Sequence, residues 1–164
     1  MSEPNKRFVT WFELTQRCKL LADAICVDPS PQANVDFHLV AIGSGGWIPA
    51  RLVGGYLEKK GCVVSYSSIT IKSYFEKQQA EIDIQSTPSK IGDDGCIVIL
   101  VDDLVDTGDT MDAAFRWVHD QFKITAQSAV VFYKPKSLYV PDAYSEIVDN
   151  NEWIVFPYET EDSE

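Results

Sequence analysis

An α/β fold built on a mainly parallel sheet flanked by helices is what this chain predicts, and three observations predict it. Short apolar runs rich in Val, Ile and Ala, at 37–42, 97–101 and 129–133, alternate with segments of helical periodicity. Two of these runs end in special loops, Gly43-Ser44-Gly45-Gly46 and Asp102-Asp103, and open α/β sheets bind ligands at such strand ends. The length of 164 residues suits one domain, 1–164, with one good core.

Thr10 with Glu13 three residues later reads as a capping box. Leu14, Cys18, Leu21, Ala22 and Ile25 then recur at helical spacing, so a helix over about 11–26 follows. Asp28-Pro29-Ser30-Pro31 breaks it. The run 37–42 is a short buried strand, and 43–46 is a tight loop. Pro49 sits in the first turn of a second helix, which runs to about Lys60 and is closed by Gly61. Val, Ser, Ile and Thr make 62–71 the next strand. Residues 75–94 are polar and irregular, which predicts a functional loop with weak hairpin strands near 80–84. A strand at 97–101, a helix over about 110–122 and a strand at 129–133 follow. Short extended pieces are expected at 146–148 and 153–156, then a frayed acidic tail at 159–164.

The net charge of −11 argues against nucleic acid as a partner, because that binding needs a basic surface. It does not exclude a small anion held by backbone N–H groups. No apolar run is long enough to span a membrane, and the N-terminus lacks a signal-peptide profile, so a cytoplasmic protein is expected. The four cysteines form no CxxC, and two histidines without metal spacing make zinc a poor fit. The thiols are expected to be reduced and packed in or near the core. His38 and His119 are read as structural or solvated, and Trp11, Trp47 and Trp117 as packing residues.

The most specific segment is Ile97–Thr110, IVILVDDLVDTGDT. A buried strand delivers Asp102 and Asp103 to its C-terminal end. Asp106 follows, then Thr107-Gly108-Asp109-Thr110. Thr107 and Thr110 offer hydroxyls, and Gly108 lets the backbone curl so that successive N–H groups face one point. A helix starting near Thr110 adds the positive end of its dipole. Such a loop holds a phosphate without a lysine. The paired acids, one loop away, can accept vicinal hydroxyls or hold Mg²⁺. Phosphate beside vicinal hydroxyls points to a phosphorylated ribose.

VILVDDLVDTGDT closely resembles the phosphoribosyl-pyrophosphate (PRPP) motif of the type I phosphoribosyltransferases. IGSGGWIPARLVGGYL resembles that family's first loop and its following helix, and Lys72-Ser73-Tyr74 its lid signature. Lys134-Pro135 and Trp153-Ile154-Val155-Phe156-Pro157 resemble base-binding elements of the 6-oxopurine (xanthine-guanine and hypoxanthine-guanine) enzymes, and Val9-Thr10-Trp11 resembles the start of the xanthine-guanine enzymes. The resemblance spans about 8–159, in the family's segment order.

It implies the type I phosphoribosyltransferase fold, with a flexible lid at about 72–84. It also implies a small base-binding hood from the N-terminal segment and about 134–159. Asp102 and Asp103 would hold the ribose hydroxyls, with Asp103 nearer the metal. Asp106 would act as general acid/base near the purine N7. Thr107, Gly108, Asp109 and Thr110 would cradle the 5′-phosphate, and Ser44 and Gly45 would lie against pyrophosphate. Lys134 would donate to the 6-oxo group, Trp153 would stack on the base, and Ile154 would read its edge through backbone atoms. Glu159 would help hold water on Mg²⁺. The implied partners are PRPP and a purine base, and the implied assembly is a homo-oligomer, dimer or tetramer.

Two positions depart from the pattern. Ser44 stands where the 6-oxopurine enzymes usually carry Lys or Arg, which leaves Arg51 or Lys72 as compensating cations. Asp109 stands where relatives tend to have Gly, Lys or Arg, and fits a phosphate only with its carboxylate turned to solvent. Two other readings therefore stand beside purine salvage: a non-catalytic PRPP or nucleotide-binding regulator, and a transferase with another acceptor base.

Overall fold

The computed structural model describes residues 5–26, 35–76, 79–85 and 87–159, with the backbone alone over 72–76 and 79–83. The elements in order are β1 (Asn5–Phe8), α1 (Trp11–Ile25), β2 (Asp36–Gly43), α2 (Trp47–Lys59), β3 (Val63–Glu76) and β4 (Gln79–Gln85). They continue with β5 (Ile97–Val105), α3 (Asp109–Phe122), β6 (Gln127–Tyr133), β7 (Ala143–Ile147) and β8 (Glu152–Val155). Six strands form one sheet in the order β4-β3-β2-β5-β6-β7, parallel except for β4 on β3. β1 and β8 pair in parallel as a separate ribbon.

The strand order fixes where a ligand can sit. From β2 the chain crosses through α2 to β3 on one side, and from β5 through α3 to β6 on the other. β2 and β5 are neighbours, so the loops that follow them open side by side at the point where the order reverses.

Alternation along the strands builds two cores. Ile99 and Val101 of β5 join Leu14, Cys18, Leu21, Val53 and Leu57 of α1 and α2 on one face. Val98 and Leu100 join Met111, Ala114 and Val118 of α3 on the other. Fully buried side chains such as Leu21, Leu57 and Leu100 each contribute ~1.5–3 kcal/mol of burial.

Several local expectations are met and several shift. Thr10 caps α1, its Oγ1 accepting from Glu13 N at 3.1 Å. The reciprocal half of the box is replaced: Glu13 accepts from Arg7 at 2.6 Å. β1 was not foreseen, being short and polar, and it exists through its pairing with β8. β3 extends past Ile71 to Glu76 and pairs with β4 from Thr70↔Gln85 to Glu76↔Gln79, so the expected irregular stretch begins as a hairpin. β7 lies three residues earlier than the expected strand at 146–148. Trp117 packs on Phe122, and Trp11 meets Tyr158 and Trp47 lies over Gly43 while each stays about half exposed, so these two pack at the surface rather than in the core.

All four cysteines are free, with Cys18 and Cys26 buried. His38 is buried between Ser65 and Ser67, 2.7 and 2.8 Å from its ring nitrogens, while His119 is exposed. No helix among the described residues is long and apolar enough to cross a membrane.

Candidate active site

The two loops at the reversal point meet through Gly45 and Asp103. The turn after β2 is closed by Gly46 N donating to Ile42 O at 2.8 Å. Gly46 sits so close to β5 that a Cβ there would lie 2.2 Å from Val101 O. At Gly45 a Cβ would lie 2.6 Å from Asp103 Oδ2. Only glycine permits this approach of the first loop to the acid pair. Ser44 is exposed on the same turn.

β5 carries the acids further than expected, continuing as a strand to Val105. Its pairing with β6 skips Asp103, between Asp102↔Val130 and Leu104↔Phe132. The two carboxylates diverge accordingly. Asp102 lines a pocket of about 100 Å³ shared with Asp106, Thr107, Gly108, Thr110 and Met111. Asp103 stands against Gly45 and accepts the Tyr158 hydroxyl at 2.6 Å. Asp102 is buried and its Oδ1 accepts from Asp103 N at 2.9 Å. Burial, and then the Asp103 charge, push its carboxyl well above the usual range. Burial also raises Asp103; the Tyr158 hydroxyl and the Leu104 N–H pull against this, and the Glu159 charge adds to it.

The loop between β5 and α3, the expected phosphate cradle, is shaped by Gly108. Its φ of +96° is left-handed, and a Cβ would meet Ser137 Oγ at 2.5 Å and Tyr139 Cβ at 2.6 Å. Leu138 N donates to Thr107 O at 3.0 Å, so the loop after β6 lies directly on it. α3 begins at Asp109. Asp109 is exposed, as the sequence requires, but its carboxylate turns back: Thr107 Oγ1 donates to Asp109 Oδ2 at 2.8 Å. Thr110 lines the pocket.

Asp106 meets two lysines. Lys134 Nζ lies 3.2 Å from Oδ2 and Lys136 Nζ 2.7 Å from Oδ1. Burial raises the Asp106 carboxyl, but Lys136 and Lys134 together outweigh it and hold it below the usual range. Lys134 is only 5% exposed, and its backbone is fixed by donation to Val105 O at 3.0 Å. Lys136 was missed from the sequence; its backbone N–H donates to Asn150 Oδ1 at 3.0 Å.

Trp153 and Ile154 lie on β8, Trp153 58% exposed and Ile154 buried. Glu159 closes the turn after β8, accepting from Phe156 N at 2.9 Å. Tyr158, also missed, stacks on Phe156 with centroids 5.3 Å apart and planes at 7°. Arg51 does not compensate for Ser44: it bonds Tyr66 at 3.0 Å and Glu58 at 3.4 Å. The Lys72 side chain lies outside the described residues.

Among the described residues, no group of three or more His, Cys, Asp or Glu is arranged to hold a metal alone. Asp103 and Glu159 offer hard carboxylate oxygens, the donor type that Mg²⁺ takes alongside water and substrate oxygens.

The sheet order and the paired loops define an α/β protein with two strand-end loops side by side at the topological reversal, the place where such sheets bind ligands. A family model described as the phosphoribosyl transferase domain matches residues 13–164, and the chain belongs to that family. The chain is 32% identical to a xanthine-guanine phosphoribosyltransferase of Gluconobacter oxydans, over 93% of this chain and 83% of that one. It is 30% identical to one of Desulfotalea psychrophila, over 98% and 92%. Among solved structures it resembles a purine phosphoribosyltransferase from Pyrococcus horikoshii Ot3, with a TM-score of 0.73 and 25% identity over 94% of this chain and 95% of that one.

Proposed function

We propose that this protein transfers the 5-phosphoribosyl group of PRPP to a 6-oxopurine (guanine, xanthine or hypoxanthine). Pyrophosphate leaves and a purine nucleoside monophosphate forms, as in purine salvage. Its xanthine-guanine relatives support the acceptor class. The observation that carries the reading is Lys134, a buried lysine whose ammonium, among the described residues, meets the half-exposed Asp106 carboxylate at 3.2 Å. An ammonium has three N–H donors, and burial without further acceptors is costly. A 6-oxo group beside Asp106 would take one of them. Adenine presents an amine there and matches a lysine poorly.

In this reaction a purine nitrogen forms a bond to C1 of the ribose as the C1–O bond to pyrophosphate breaks. The bonding pair leaves with pyrophosphate. Asp106, held as a carboxylate by its lysines, takes the proton from N7. The Thr107–Thr110 backbone and the start of α3 hold the 5′-phosphate. Asp102 and Asp103 hold the ribose hydroxyls, and Gly45 with Ser44 faces pyrophosphate. Asp103, and Glu159 through water, would hold Mg²⁺, which would supply charge neutralisation for the leaving group. Trp153 offers an exposed ring for the base, and Ile154 backbone atoms read its edge. The hood from the N-terminal segment and 134–159 covers the base, and the segment at about 72–84 acts as the lid that excludes water. The chain works as one domain, in a cytoplasmic homodimer or homotetramer.

The test incubates the protein with PRPP, Mg²⁺ and each base in turn and separates the nucleotide products. Formation of GMP, XMP or IMP is expected. No nucleotide from any of the three overturns the reading, and PRPP binding without turnover would favour a regulator, a role in keeping with the uncharged Ser44 and the turned-back Asp109.

A further inference from the structure

Tyr158 crosses from the C-terminal turn to both the loop after β2 and the end of β5. Its hydroxyl lies 2.6 Å from Asp103 Oδ2 and 3.3 Å from Gly45 O. One hydrogen cannot serve both fully. The charged acceptor at the shorter distance takes it, and the Gly45 carbonyl is a weaker second acceptor.

The ring is not free to choose this place. It stacks on Phe156, which is buried and packs on Phe132 at 5.8 Å, and its outer side meets Trp11 at 6.3 Å. The backbone beneath it is closed by Glu159 N to Phe156 O at 3.0 Å and by Phe156 N to Glu159 Oε2 at 2.9 Å. The hydroxyl is therefore aimed by the core. On its other side the Asp103 carboxylate rests against Gly45, where not even a methyl group would fit.

We infer that Tyr158 is a positioning residue of the PRPP site, one whose hydroxyl clamps the Asp103 carboxylate against Gly45. The acid that meets ribose and metal is thereby set by the same turn that carries Glu159 and follows the base-facing strand β8. This rests on the phosphoribosyl-transfer reading. The clamp leaves Asp103 usable. It occupies one oxygen, and a carboxylate offers about four lone-pair sites. A ribose hydroxyl or a cation can take the other oxygen while the clamp stays closed.

Tyr158→Phe keeps the stacking ring and removes only the hydroxyl. Calorimetry of PRPP binding with Mg²⁺ should show affinity falling about tenfold, the low end for a hydrogen bond to a charged group. The KM for PRPP should rise more than kcat falls, and the melting temperature should stay close to that of the wild type. In an Asp103→Ala background the same change should have little further effect, since its acceptor is gone. Unchanged or tighter PRPP binding in Tyr158→Phe overturns the inference, and so does an undiminished penalty in the Asp103→Ala background. Wild-type protein that binds no PRPP would instead bring down the phosphoribosyl reading itself, so the two failures are distinct.

Discussion

The hydroxyl of Thr107 donates to the carboxylate of Asp109 at 2.8 Å, at the N-terminus of α3. A negative side chain thus occupies the helix end that the proposed reaction needs for phosphate. It is favourable to the empty protein, because an acid in the first turn complements the helix dipole. It opposes a phosphate arriving at the same N–H groups. Asp109→Asn keeps the shape and removes the charge. PRPP binding should tighten about fivefold, equivalent to ~1 kcal/mol for an exposed charge interaction, and the gain should shrink at high salt. Weaker binding of the variant would mean that the carboxylate assists the phosphate loop.

Lys134 and Lys136 both reach Asp106, but they are held differently, and their removal should separate two functions. Lys134 is buried and Lys136 half-exposed. Lys134→Ala should cost about 2–3 kcal/mol in kcat/KM for the base, the scale of a charge-assisted hydrogen bond, and change PRPP affinity by less than about threefold. An equal loss on both substrates would contradict a base-reading role.

Lys136→Ala should instead act on the pH profile. Asp106 lies below the ordinary carboxyl range because its lysines outweigh burial. Activity that needs the carboxylate is therefore retained as pH falls below about 4 and is lost only on passing through the lowered value. Removing Lys136 raises that value, so the acid limb should move to higher pH while the neutral-pH rate changes little. A limb that stays in place would show that Asp106 is not the titrating base.

Arg7 shows which parts of the fold were legible in sequence and which were not. The strands at 37–42 and 97–101 were legible because each carries its own apolar pattern, the helix after Thr10 because it adds a cap, and the left-handed turn at Gly108 before α3 because its residues are contiguous. β1 has no such pattern. It is fixed by Arg7, whose guanidinium bonds Glu146 at 2.9 and 3.2 Å and Glu13 at 2.6 Å and lies over the Phe132 ring. Two of those partners, Glu146 on β7 and Phe132 on β6, lie more than a hundred residues away, where no local window reaches them. Tyr158 and Lys136 escaped for the same reason, since each is defined by a partner more than twenty residues away.

The same network makes a stability prediction. Arg7→Ala removes the cation shared by Glu13, Glu146 and Glu152 while Arg17 stays on Glu146, and should destabilise the protein by about 2 kcal/mol at neutral pH. The Glu146 carboxyl is lowered, chiefly by its bonds to Arg7. A lowered carboxyl contributes stability that is fully present above its unfolded value, about 4.3, and is lost as pH falls through the folded one. The gap between wild type and variant in chemical denaturation should therefore narrow below about pH 4. A gap independent of pH would assign Arg7 to packing on Phe132 alone.

Gly108 and Gly61 both adopt left-handed backbone, with φ of +96° and +89°, but only Gly108 is crowded. No heavy atom approaches the place of a Cβ at Gly61 within 4 Å. Gly61→Ala should thus cost only the conformational term, ~1–2 kcal/mol. Gly108→Ala carries that term and a collision with Ser137 and the Tyr139 backbone besides, for which overpacking adds ~1–3 kcal/mol. The collision also pushes the loop after β6 off the phosphate loop, and that loop begins at Lys134 and includes Lys136. Gly108→Ala should therefore lose PRPP binding and base use together, whereas Gly61→Ala should lose only melting temperature. Equal behaviour of the two variants in binding would show that the contact of the 134–139 loop with Gly108 does not shape the site.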